Sequence, residues 1–345
     1  MDSVENIIKK RKQRWIDLYD NDKKSGAVLF IGQNYGSRPL PYPENKAGRI
    51  EYTLSSYKIQ MDSLEYMDDD KIPFVTPYTG TEIFAGAFGS KISYPKNDMP
   101  FALPHVYNSA EAAKIKYPDL KNSPPAIIAD IIDIADKLRD AAPEALMQLP
   151  DIQSPLDIAA LIWNKEDFLA AMYEDPIAVK ELVAMTEKYL TEFLDFWFDH
   201  YGSECVAHHP DYYVPKGVTF SEDEVGAISP EMFVEFSLGS LNRMAERYGM
   251  SGIHCCADSK HQWENFKSIK NLRLLNLNLP HHPEDFQKAF KFFEDTCVQM
   301  HSANISDELW LNNNKNMRVV IQDWASDKND AREKSKRLRD KYCSQ

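Results

Sequence analysis

Short apolar runs alternate along this chain with stretches whose apolar residues recur at helical spacing, and that alternation is the sequence form of successive βα units. Eight candidate strands stand out: Ala27–Ile31, Ile72–Val75, Ala145–Leu149, Glu204–His208, Gly252–Cys256, Leu272–Leu277, Cys297–His301 and Arg318–Ile321. Two helices between them are well marked. One opens at Asp175-Pro176, where Asp caps and Pro suits a first turn that needs no N–H; Val179, Leu182, Val183, Leu190, Phe193, Leu194 and Trp197 then share a face. The other opens at Ser229-Pro230, carries Phe233, Phe236, Leu241, Met244 and Ala245, and stops at Gly249, which can turn left-handed.

The alternation leaves two α/β architectures, a closed (β/α)8 TIM-type barrel or a doubly wound open sheet. The count of eight favours the barrel, and so does the turn after the first strand. Gly32-Gln33-Asn34-Tyr35-Gly36-Ser37 is not the Gly-rich phosphate loop that opens a dinucleotide-binding sheet. A length of 345 residues, 43% of them hydrophobic, fits one elaborated barrel. The expectation is therefore a single domain over 1–345, with an N-terminal helix within 1–25 and an insertion over one mouth at 89–125, where prolines are many and periodicity is weak.

Charge narrows the partners. Lys and Arg number 40 against 53 Asp and Glu, a formal charge of -13 that repels nucleic-acid backbones. The basic runs Lys9–Lys12 and Arg332–Lys341 are interleaved with apolar residues and read as solvated helix faces. No run approaches the roughly 20 apolar residues of a membrane span, and the polar start lacks a signal-peptide core. Five cysteines without a regular framework, two of them adjacent, suit a reducing, cytoplasmic setting.

The densest chemistry lies in Ser251-Gly252-Ile253-His254-Cys255-Cys256. On a strand, residues two apart share a face, so His254 and Cys256 point one way and Cys255 the other. An imidazole and a thiol at a barrel mouth supply two of the three protein ligands of a catalytic zinc. The same pair also reads as ordinary core, since buried Cys is common and one backbone bond satisfies a buried His. By the same rule Cys297, Gln299 and His301 share a face, with His301 nearest the mouth, and Cys343 could reach only if the tail folds back. The acidic stretch Glu222-Asp223-Glu224 offers an acid, a base or a ligand, or is a solvated loop. Of His208-His209 and His281-His282, one member of each pair can face inward. Asn34 lies in the turn after the first strand, Tyr78 to Glu82 follow the second, and Asp151 to Ser154 follow the third; all are polar and stand where a barrel mouth is lined.

Several of these segments, in order, resemble the uroporphyrinogen decarboxylase superfamily, in particular its corrinoid-dependent methyltransferase-like branch. Tyr78-Thr79-Gly80-Thr81-Glu82 running to Phe88-Gly89 is similar to the family's early "GTE…FG" stretch, and Gln153-Ser154-Pro155-Leu156 to its "GPF" turn. Glu222-Asp223 with Ile228-Ser229-Pro230-Glu231-Met232-Phe233 is similar to its "DD…SPE" block, and Ile253-His254-Cys255-Cys256 falls where members carry His-x-Cys-Gly. The resemblance implies a (β/α)8 barrel with its site at the C-terminal mouth. It also implies zinc on His254 and Cys256, a small-molecule substrate, and a corrinoid carried by a partner protein. The third family ligand is a cysteine in a Gly-rich loop near the C-terminus. This chain has Gln322-Asp323-Trp324-Ala325 there, and Ala257 in place of a glycine. True decarboxylases of the family bind carboxylates through an N-terminal Arg-Gln-Ala-Gly-Arg motif, of which only Lys46-Ala47-Gly48-Arg49 is seen.

The expected protein is thus a zinc-dependent methyltransferase that moves a methyl group between a small methylated compound or thiol and a corrinoid protein. His254, Cys256 and His301 would hold metal, Glu222 and Asp223 would serve as acid/base groups, and Asn34, Tyr78, Glu82, Asp151 and Gln153 would line the substrate cavity. A metal-free carboxy-lyase and a catalytically silent tetrapyrrole- or partner-binding barrel are the alternatives, and a homodimer fits any of the three.

Overall fold

A computed structural model describes residues 3–20, 22, 25–33, 41, 45–95, 99–278, 285–301 and 317–343. Asn34, His281 and His282 lie outside the described residues.

The chain opens with α1 (Val4–Tyr19), β1 (Gly26–Gln33), α2 (Lys46–Ser63), β2 (Phe74–Val75) and α3 (Glu82–Ala87). A hairpin of β3 (Lys91–Ser93) and β4 (Phe101–Leu103) follows, then α4 (Ser109–Ala112), α5 (Ala126–Ala141), β5 (Leu146–Met147), α6 (Pro155–Ile162), α7 (Lys165–Glu174) and α8 (Pro176–Tyr201). The second half runs β6 (Cys205–Val206), β7 (Tyr213–Val214), β8 (Gly217–Ser221), α9 (Pro230–Phe233), a π-helical segment (Val234–Leu238), α10 (Gly239–Tyr248) and β9 (Met250–Cys255). It ends with α11 (Trp263–Phe266), β10 (Leu272–Leu277), α12 (Asp285–Phe292), β11 (Val298–Gln299), β12 (Arg318–Ala325) and α13 (Lys328–Tyr342).

Six strands form one parallel sheet in the order β1-β12-β11-β10-β9-β8. β2 and β5 pair in parallel, and single parallel bridges carry on from Gln148 to Val206 and from Gln153 to Ser221. The protein is therefore α/β with a parallel sheet. Ladders cover part of the expected ring, and none joins β1 to β2 among the described residues.

That seam is filled by side chains and one stretch of backbone. The Asp70 N–H donates to the Leu29 carbonyl at 2.8 Å, the Leu29 N–H donates to Asp70 Oδ2 at 2.6 Å, and the Ile31 N–H reaches Asp69 Oδ2 at 3.5 Å. The two carboxylates are buried and held by arginines: Arg11 of α1 on Asp69 at 2.7 Å, with Arg14 of α1 and Arg339 of α13 on Asp70. Buried charges persist only when paired and hydrogen-bonded in this way.

The helical readings held in detail. Asp175 caps α8 by accepting from the Ala178 N–H, and all seven apolar residues named for that helix are buried. Burying each such side chain contributes about 1.5–3 kcal/mol. Ser229 caps α9, and Gly249 ends α10 at φ 112°, a conformation that favours glycine. The single helix expected after Ser229 is interrupted at Val234–Leu238 by a wider turn.

Two expectations change. Gly217–Ser221, just before the acidic stretch Glu222-Asp223-Glu224 and outside the eight candidate strands, is a fully buried strand in the main sheet. The 89–125 stretch carries the β3–β4 hairpin and α4, and it packs on α3, α6 and α8. Pro100 abuts Gly80 near the strand ends, but no described residue of 89–125 lines the cavity at the β1–β2 seam. No helix among the described residues is long and apolar enough to cross a membrane.

Candidate functional site

β9 delivers His254 and Cys256 to the C-terminal edge of the sheet, with Cys255 buried on the opposite side as the strand pleat requires. Asp223 joins them from the loop after β8. One donor atom from each of Asp223, His254 and Cys256 lies within 4.8 Å of the others. An oxygen, a nitrogen and a sulfur converging from two adjacent strand ends form a donor set that a zinc-sized cation accepts.

Each member is held from behind. Asn276, the register partner of His254 on β10, places Oδ1 2.5 Å from His254 Nδ1 and donates its own amide N–H to the Met300 carbonyl. His254 Nδ1 is thereby engaged and Nε2 is left for the site. Asp223 Oδ1 accepts the Cys256 N–H at 2.6 Å. Behind it, the Asp157 carboxylate accepts the N–H groups of Asp223 at 2.7 Å and Glu224 at 3.0 Å, which fixes the loop. Burial and the Asp223 carboxylate push the Cys256 thiol up to about 12, so without a cation it keeps its proton at neutral pH.

Glu222 does not join this group. It is fully buried, its Oε2 accepts from Ser237 Oγ at 2.9 Å, and burial raises it above the usual carboxylate range. His301 is also set apart. The Leu277 N–H donates to its Nδ1 at 3.1 Å, and its Nε2 meets Gln299 Oε1 at 3.0 Å, so both ring nitrogens are committed. Burial lowers its pKa to about 3. Asp223 thus stands with His254 and Cys256 where sequence had offered His301. Cys297 is buried inside the sheet layer with its thiol pushed up to about 12 by burial. Cys343 follows the end of α13 and is half-buried.

Next to the trio, a cavity of about 550 Å³ opens at the seam between β1 and β2. Its lining includes Tyr52, Tyr78, Asp151, His208 and Trp324, together with Arg11 and Lys71. Tyr78 takes φ 53°, uncommon for a residue with a side chain, and is held there by a network. Its N–H donates to Thr76 Oγ1 at 3.1 Å, while Arg49 donates twice to the preceding Pro77 carbonyl at 3.0 and 2.8 Å. Glu82 lies behind it, buried, accepting from the Gly80 N–H at 3.0 Å and raised to about 7 by burial. Asp151 is raised to about 7 by burial and by the Glu82 and Asp223 carboxylates. It accepts from Gln153 Nε2 at 2.5 Å, and its own N–H donates to Thr79 Oγ1.

His208 links cavity and trio. Its ring nitrogens lie 2.9 Å from Thr219 Oγ1 and 3.0 Å from Ser221 Oγ, both on β8, and Nε2 is 3.8 Å from Asp151 Oδ1. Its neighbour His209 packs edge-on against His254 at 4.5 Å, with its pKa lowered to about 4 by burial and by His254.

Tyr78, Asp151, Gln153, Glu82, Asp223, His254 and Cys256 are therefore gathered at one end of the sheet. Asn276 and Asp157 were missed. Asn276 had a signal, being the lone amide within the apolar run Leu272–Leu277. Asp157 had none, since in sequence it is a first-turn residue of a capped helix.

Residues 74–299 match the model of a family described as uroporphyrinogen decarboxylase (URO-D). Among solved structures, the chain is similar to a methyltransferase from Methanosarcina mazei, with a TM-score of 0.64 at 11% identity, covering 95% of this chain and 98% of that one. That likeness is one of fold. A search of curated proteins finds no match.

Proposed function

The chain belongs to the uroporphyrinogen decarboxylase family, and we propose that within it this protein is a methyltransferase whose metal centre is Asp223, His254 and Cys256. The observation that carries this reading is the convergence of their three donor atoms within 4.8 Å, each fixed by a partner of its own. The donors suit zinc, which when bound holds a thiol as the nucleophilic thiolate at neutral pH. Three protein ligands leave a fourth position for the substrate.

The surrounding residues have separable tasks. Asn276 keeps His254 in one orientation, and Asp157 holds the backbone that carries Asp223. Cys256, protonated up to about pH 12 when alone, would exchange its proton for the cation. His208 and His209 stand beside the trio with rings that burial holds neutral, so they add no positive charge against the cation. The cavity bordered by Tyr78 and Asp151 would hold the small methylated compound or thiol, and the exposed Cys256 side would face a corrinoid-carrying partner.

The carboxy-lyase reading gains nothing from Arg49. Its guanidinium is buried and donates to the Pro77 carbonyl, where a carboxylate-binding arginine would face the cavity.

Elemental analysis tests the proposal. The wild-type chain should retain about one zinc per chain, and a His254→Ala, Cys256→Ala double variant none. A metal-free wild type with unchanged fold after zinc is supplied would sink it.

A further inference from the structure

We propose that the cavity at the β1–β2 seam selects a cationic methylated compound, a quaternary ammonium or a sulfonium, as the small methyl donor. This rests on the methyltransferase reading above and adds the charge class of its substrate.

The aromatic surface comes from both sides of the seam. Tyr52 of α2 and Tyr78 after β2 meet with ring centroids 5.4 Å apart at 59° on one side. Trp324, at the end of β12, supplies the other. Its indole lies across Gly32 of β1 so closely that a Cβ there would sit 2.2 Å from the ring, and the residue is nonetheless 63% exposed. An exposed indole seated on a glycine beside a cavity is a flat surface for a ligand, and ring faces attract cations without requiring directional hydrogen bonds.

The charges of the lining sort in the same direction. Arg11 is neutralised by Asp69 at 2.7 Å, and the Lys71 ammonium lies over the Phe30 ring at 4.4 Å. Asp151 has no lysine or arginine partner among the described residues, with only His208 Nε2 at 3.8 Å. The nearby Glu82 and Asp223 carboxyls disfavour its ionised form, and a cation in the cavity would restore that form. A cavity with the rings of Tyr52, Tyr78 and Trp324 and a carboxyl that has no lysine or arginine partner among the described residues favours a cation that carries methyl groups and offers no N–H to donate.

Such a donor also suits the chemistry. Transfer of its methyl group forms a bond from the lone pair of the nucleophilic acceptor to carbon. The C–N or C–S bond of the donor breaks with both electrons going to its own heteroatom. A neutral amine or thioether leaves, so the donor side of the step needs no oxidant or reductant.

Calorimetric titration of the full chain, with and without added zinc, compares choline with 3,3-dimethylbutan-1-ol, its uncharged isostere. Choline should bind at least about tenfold more tightly. Trp324→Ala and Asp151→Asn should each remove most of that difference while circular dichroism stays unchanged. Equal affinities, no choline binding at millimolar concentration, or choline binding undiminished in both variants overturns the inference. So does binding of ethanesulfonate in place of choline that Lys71→Ala abolishes, which would assign the cavity to anions. Zinc bound without choline binding defeats this inference alone. Choline binding by a chain that takes up no zinc defeats the methyltransferase reading instead.

Discussion

Asn276 Oδ1 lies 2.5 Å from His254 Nδ1, and the two residues are register partners on adjacent parallel strands. The contact selects which imidazole nitrogen is free, because the nitrogen bonded to the amide is no longer available to a cation. Asn276→Ala should therefore weaken zinc affinity about 10- to 100-fold with a smaller effect on folding. Competition against a zinc chelator measures the first and thermal melting the second. Unchanged affinity in a folded variant would remove His254 from the centre.

The Cys256 thiol sits beside the Asp223 carboxylate, and the negative charge opposes formation of the thiolate. Asp223→Asn should lower the thiol's pKa and raise its alkylation rate at pH 7.5 by about tenfold in metal-free protein. Peptide-resolved mass spectrometry after brief iodoacetamide treatment distinguishes Cys256 from the other four cysteines. The reverse ordering, with the wild type reacting faster, would contradict the arrangement.

Glu82 is raised to about 7 chiefly by burial. Its folded state holds a proton that the unfolded chain gives up near the ordinary carboxylate range. The unfolded state therefore binds fewer protons between about pH 4 and pH 7, and stability falls as pH rises through that window. Glu82→Gln should leave the melting temperature unchanged at pH 4 and raise it at pH 8, where the gain in stability is on the order of 3 kcal/mol at most. The amide oxygen can still accept from the Gly80 N–H. Melting curves at the two pH values check the sign.

Gly32 and Trp324 are paired across β1 and β12, and the indole occupies the space of a Gly32 side chain. Gly32→Ala should cost about 1–3 kcal/mol, and Trp324→Ala should rescue most of it. A double-mutant cycle in urea reads the coupling. Additive effects would mean that the indole moves aside freely.

Much of the fold was legible because it follows from periodicity. The capping pair Asp175-Pro176 and the apolar face of α8 stand in sequence as they do in space. Gly217–Ser221 was not legible, since it is buried on both faces and shows no alternation, and Thr219 and Ser221 look like loop polarity. Their hydroxyls in fact meet the two nitrogens of His208, a pairing that depends on a neighbouring strand. His254 and Cys256 could be placed on one face by the strand period alone. His301 shows the limit of that rule, which gives direction along a strand but not occupancy. The Gln299 amide meets its ring from the same face of its own strand, but the Leu277 N–H reaches it from a neighbouring strand that the pleat does not report.

The seam between β1 and β2 is stitched by Asp70, which meets Arg14 from the first helix and Arg339 from the last. The contact between Asp70 and Arg339 spans 269 positions of chain. During synthesis this stitch cannot form until α13 has emerged, so the wall bearing the cavity should mature after the strands of the main sheet. Contacts of such sequence separation form slowly. A nascent chain arrested before α13 would then carry its parallel strands with an open flank, where Leu29 and Ile31 meet solvent and invite chaperones.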